Sequence, residues 1–174
     1  MKKILLLLFL TLISTESFSQ FKGGRMDLYY TTIYENEDDF LGVKTRQLNL
    51  TCHSIQYPAE SCIGIFQEPN GELSLYSYLY KKSWIFVDRI YIKLDGELFI
   101  FKSNQDRRDV MPQAYISELN FYESRNISKF IEKLKTCKSI EYRMYGRDYF
   151  IDFEFNKRRM RLAREKIDIF FKND

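Results

Sequence analysis

The sequence predicts an α+β domain: a mainly antiparallel sheet of about nine hairpin-linked strands, with two helices near the C-terminus. Three observations predict it. Period-two alternation recurs along the first two-thirds of the chain, as in Leu48, Leu50 and Cys52 against Gln47, Asn49 and Thr51. Tight-turn pairs separate apolar runs, namely Asn70-Gly71 and Asp95-Gly96. Helical periodicity is confined to two late segments. A β-sandwich or partly closed barrel with packed helices is the alternative arrangement of the same elements.

Met26–Tyr34 is rich in Tyr, Thr and Ile and reads as a strand. Glu35 to Asp39 reads as an acidic turn. Phe40–Ile55, Ile63–Phe66 and Leu73–Tyr80 are the next strands. Trp84–Leu94 and Glu97–Lys102 form a hairpin across Asp95-Gly96. On its first arm Ile85, Val87 and Arg89 fall on one face, Phe86, Asp88 and Ile90 on the other. Asn104–Pro112 is polar and reads as a loop, and Gln113–Tyr122 as a strand. Asn126–Cys137 is helical, because Ile127, Phe130, Ile131 and Leu134 form one apolar stripe, with Asn126 as its N-cap. A second hairpin, Ile140–Tyr145 and Tyr149–Phe155, precedes a terminal helix over Asn156–Phe171.

The first 19 residues read as a cleavable export signal. Lys2 and Lys3 precede the apolar run Ile4–Ile13, and Ser17 and Ser19 stand where a signal peptidase reads small residues. The Met-Lys-Lys start and the Ser-Phe-Ser-Gln junction resemble bacterial secretory signals. The run is too short to span a bilayer, which needs about 20 apolar residues. The expected product is one domain, residues 20–174, periplasmic or secreted, with no membrane span after cleavage.

Composition narrows the chemistry. Net charge is +3 for the whole chain, and removing Lys2, Lys3 and Glu16 leaves it near neutral. No basic field or RNA-binding motif points to nucleic acid. One His and three Cys supply no metal-ligand spacing, and no Gly-rich phosphate loop or nucleophile elbow occurs. The reading is therefore no cofactor, no metal and no catalytic set.

Export makes disulfides permissible. Cys52 and Cys62 flank a strand–loop–strand segment, so one reading pairs them, stabilising by about 3 kcal/mol, and leaves Cys137 free. The other is three reduced, buried thiols. Cys52 and His53 are strand neighbours on opposite faces and do not form a nucleophile–base pair.

Candidate binding residues come in two groups. Tyr76, Tyr78 and Tyr80 share one face of a strand, with Trp84 close behind; exposed they would be a partner platform, buried they would be packing. Arg107 and Arg108, flanked by Asp106 and Asp109, suit an anionic partner, and Arg143 and Arg147 could join them. The function this implies is a non-enzymatic binding or protein-interaction module, its partner a protein or glycan of the cell envelope. The alternatives are a cell-wall polysaccharide hydrolase drawing two carboxylates from Glu118, Glu141, Asp152 and Glu154, or a structural envelope component.

Overall fold

A computed structural model describes residues 31–38, 43–54, 59–82, 85–111, 115–122, 126–147 and 149–172, without the side chains of 38, 105–111 and 115–117. Residues 1–19, which read from the sequence as an export signal, and Trp84 lie outside these residues.

The order is β1 (Thr32–Asp38), β2 (Val43–His53), β3 (Glu60–Gln67), β4 (Leu73–Lys81), β5 (Arg89–Leu94), β6 (Glu97–Met111), β7 (Tyr115–Tyr122), α1 (Ile127–Leu134), β8 (Ile140–Tyr145), β9 (Phe150–Glu154) and α2 (Lys157–Lys172). The strands form one sheet in the order β1-β2-β3-β4-β7-β6-β5-β8-β9. Every pairing is antiparallel. The sheet is not closed. The α+β reading therefore holds.

The sheet still curls. Its turning point is β6, whose first half pairs with β5 and whose second half pairs with β7, with a register irregularity between Ser103 and Gln105. Such irregularities bend and twist a strand. The curl brings β2 and β3 near β8 and β9, where the Cys52 thiol donates to the Glu154 carbonyl at 3.0 Å and Ser61 Oγ lies 3.7 Å from Met144 Sδ.

One face of the whole sheet is inward. Leu48, Leu50, Ile63, Ile65, Leu75, Leu79, Ile90, Ile92, Phe99, Tyr142, Met144 and Ile151 share one core with Phe130 and Leu134 of α1 and Ala163, Ile167 and Phe170 of α2. Phe130 takes the edges of Phe99 and Phe101 at 5.4 and 5.3 Å, a favoured aromatic geometry. The opposite face of β3, β4 and β7 carries a second buried cluster of Cys62, Phe66, Tyr76, Tyr78, Tyr80 and Leu119.

Several local expectations are corrected. Glu35 to Asp38 are not a turn: they continue β1, each paired with β2. The polar Asn104–Met111 segment is not a loop, because β7 offers it a ladder up to Met111–Tyr115; pairing overrides polarity. Residues 85–88 are not part of β5. Phe86 has φ 53°, which breaks the alternation, so Ile85, Val87 and Ile90 are all buried despite their mixed parity. Asn126 has φ 64° and makes no side-chain cap bond. Asn156 is the capping residue instead: its Oδ1 accepts the Arg159 N–H at 3.0 Å at the start of α2.

The Cys52–Cys62 disulfide is also corrected. Cys52 is the register partner of Ser61, and Cys62 of Thr51. This one-residue offset puts the two thiols on opposite faces of the sheet. Cys52 and Cys137 belong to the main core and Cys62 to the second cluster. All three are buried and none is in a disulfide.

Candidate functional site

Of the residues singled out from the sequence, the tyrosines are not an open surface. Tyr76, Tyr78 and Tyr80 do share one face, but they are buried in the second cluster. The row is packing, not a platform: the Tyr76 ring lies over Gly64, its register partner on β3. Its hydroxyl belongs to a buried network with Gln47 and Asn49, in which Gln47 Nε2 donates to Asn49 Oδ1 at 3.0 Å and to the Tyr76 oxygen at 2.6 Å. Burial pushes the Tyr76 hydroxyl well above its ordinary pKa. Arg107 and Arg108 sit in the β6 ladder opposite Leu119 and Glu118; their side chains, like Trp84, are outside what the structure describes.

Glu118 is likewise not a candidate acid. It is buried, and its two oxygens accept the backbone N–H groups of Ile85 at 2.8 Å, Phe86 at 3.2 Å and Val87 at 3.0 Å. His53 Nδ1 is 3.7 Å from Glu60 Oε1, while the adjacent Cys52 faces the core. Burial raises the Cys52 thiol pKa, against the opposing effect of Arg159. A thiolate nucleophile has no support here. Among the described residues no group of three His, Cys, Asp or Glu is placed to hold a metal. No helix among them is long and apolar enough to cross a membrane.

The open surface lies elsewhere, on the outward face of β6, β5, β8 and β9. Strand alternation builds it: while Ile90, Ile92 and Leu94 point inward, Arg89, Tyr91 and Lys93 point out. The same holds for Glu141, Arg143 and Tyr145 on β8 and for Phe150, Asp152 and Glu154 on β9. On β6, Leu98, Ile100 and Lys102 are exposed. The registers align these into three cross-strand rows: Lys102–Arg89–Tyr145–Phe150, Ile100–Tyr91–Arg143–Asp152 and Leu98–Lys93–Glu141–Glu154.

At its centre is a fixed ion pair. Arg143 Nε and Nη2 donate to the two oxygens of Asp152 at 2.5 and 2.7 Å, a bidentate geometry. The Asp152 hydrogen bond raises the Arg143 pKa further, so its charge is permanent. The guanidinium lies 3.8 Å from the Phe150 ring centre and 5.7 Å from that of Tyr145. Tyr91 and Tyr145 touch at 4.6 Å between centroids. Beside them an open cavity of about 500 Å³ is lined by Tyr91, Lys93, Leu98, Glu141, Arg143 and Glu154 among others. Leu98 and Ile100, 47% and 50% exposed, flank the platform.

Sequence reasoning named Arg143 but missed Tyr91, Tyr145 and Phe150. The signal was there: Arg89 to Leu94 alternates cleanly once residues 85–88 are removed from the strand.

No family model, curated protein or solved structure matches this chain.

Proposed function

We propose that the protein is an exported, non-enzymatic protein-interaction module, and that its contact surface is the outward face of β5, β6, β8 and β9. One observation carries the reading. Four adjacent strands present aromatic and aliphatic side chains around a pre-paired Arg143–Asp152 centre, on a face that no described helix covers. Aromatic residues and arginine are the side chains that dominate protein interfaces. A guanidinium already oriented by Asp152 and Phe150 loses little further freedom on binding. Export rests on the signal pattern of residues 1–19.

The test is site-specific photocrosslinking in the native host. A photoreactive residue at Tyr91 or Ile100 captures a protein, and one at Arg161 on α2 does not. Absence of adducts from the sheet face overturns the reading. N-terminal sequencing of the processed chain checks export, with Gln20 the expected first residue.

A polysaccharide hydrolase is the second reading, and Glu141 facing Glu154 across β8 and β9 favours it. A retaining mechanism needs two carboxylates about 5 Å apart, a separation that side chains of register neighbours can reach. Cell-wall glycan turnover abolished by Glu154→Gln would establish it in place of the first.

A further inference from the structure

The charges of the open face are unequally satisfied. Arg143 is paired with Asp152, and Arg89 with Asp88 at 3.0 Å. Glu141 and Glu154 are direct cross-strand partners, both exposed, and neither carboxylate has a hydrogen bond or ion pair among the described residues. Like charges in that position destabilise a sheet. Lys93, on the other side of Glu141 in register, is also exposed and makes no ion pair among the described residues. The face thus carries an unmatched cation on β5 and an unmatched anionic pair on β8 and β9.

We propose that the partner of this face is a second copy of the same chain, packed face to face about a two-fold axis running parallel to the strands between β5 and β8. The proposal rests on reading this face as an interaction surface. The operation lays β5 of one copy over β8 of the other, and β6 over β9, at the same level along the strands. Lys93 then meets Glu141, one strand from Glu154, which lies under Leu98. Tyr91 meets the Arg143 guanidinium, and Arg89 meets the Tyr145 ring. Each contact occurs twice, as a two-fold interface requires. An in-plane axis across the strands would instead set Lys93 on Arg89 and Glu141 on Tyr145, leaving the carboxylates unmatched. Charge complementarity therefore selects the first axis.

Four strands with three outward positions each supply fewer residues than the roughly 20–30 per side of a standard interface. The dimer is accordingly weak, with a dissociation constant on the order of 10–100 µM.

Sedimentation equilibrium of protein expressed from the full coding sequence tests this, at roughly 5–500 µM so as to span that range. The expected result is a reversible monomer–dimer equilibrium. Lys93→Glu and Glu141→Lys each weaken it at least about tenfold, because each sets like charges face to face. An equimolar mixture of the two variants dimerises again, since each then supplies the charge the other lacks; this also shows that both variants are folded. Monomer throughout, or failure of the mixture to recover, overturns the proposal. A crosslinking readout separates this failure from that of the broader reading. A Tyr91 adduct at twice the chain mass supports the dimer. An adduct with a different protein overturns the dimer and keeps the interaction reading, and no adduct overturns both.

Discussion

Glu118, in the middle of β7, accepts the backbone N–H of Ile85 at 2.8 Å and so fixes the chain that enters β5. With Phe86 and Val87 also donating to it, one buried carboxylate accepts from three consecutive backbone amides. It also stabilises the positive φ at Phe86. The open face depends on this contact, because the turn at Phe86 sets which residues of β5 point outward.

Glu118→Gln keeps the shape but exchanges one acceptor oxygen for a donor and removes the charge. It is expected to cost about 2–3 kcal/mol, and Glu118→Ala about 4 kcal/mol, because buried amides are left unsatisfied. Urea unfolding measures both. A loss under about 1 kcal/mol for Ala would show that the amides find other partners.

Asp95 is expected to make the fold less stable in acid. Its Oδ1 accepts the N–H groups of Lys138 at 2.7 Å and Ser139 at 2.8 Å, tying the β5–β6 turn to the start of β8. These bonds, that from Lys138 first, lower its pKa below the ordinary 3.8. A depressed acid contributes stability that is present above its unfolded pKa and is lost as pH falls through the folded one. Asp95→Asn suits the φ of 52° and removes the titration. Wild type is expected to be the more stable at pH 7, with the gap to Asp95→Asn closing between about pH 5 and 2. A gap that stays constant in acid unfolding curves would falsify this.

The thiols should be inert in the native state. Cys52, Cys62 and Cys137 are buried and none forms a disulfide, and burial pushes Cys137 up to about 11. Alkylation at neutral pH followed by mass spectrometry should add three groups only in denaturant. Reductant should leave the melting temperature unchanged. Rapid labelling of Cys52 or Cys62 in the folded protein, or a bridge between those two, would contradict the register of β2 and β3.

Gly64 is required by Tyr76. A Cβ at Gly64 would collide with the Tyr76 ring and with the Leu48 carbonyl. Overpacking of this kind costs about 1–3 kcal/mol, and Gly64→Ala is expected at the upper end because one of the clashing groups is backbone. Tyr76→Phe should cost about 1–3 kcal/mol by a different route, leaving Gln47 and Asn49 short of a partner. Thermal melts of the two variants check both, and a neutral Gly64→Ala would mean the ring moves aside.

Local patterns in the sequence determined much of the architecture. Alternation in Gln47–Cys52 and Leu73–Tyr80 reports a pleated strand wherever it sits. Asp95-Gly96 takes positive φ at both residues, 52° and 83°, because those residue types tolerate it. The stripe Phe130, Ile131 and Leu134 had to face a core, and it does. These properties depend on a residue and its near neighbours, so they survive without knowledge of the fold.

Other features were decided only by tertiary structure. The tyrosine row was legible as one face, but whether that face is wet or dry depends on what packs against β3, β4 and β7. The disulfide failed on a register offset of one residue, which no spacing between Cys52 and Cys62 encodes. The polar stretch after Asn104 became strand because β7 lies beside it. The open face joins β6, β5, β8 and β9, drawn from residues 97–102, 89–94, 140–145 and 150–154. Its rows exist only once the sheet order is set, because cross-strand neighbours are distant in sequence and are brought together by pairing alone.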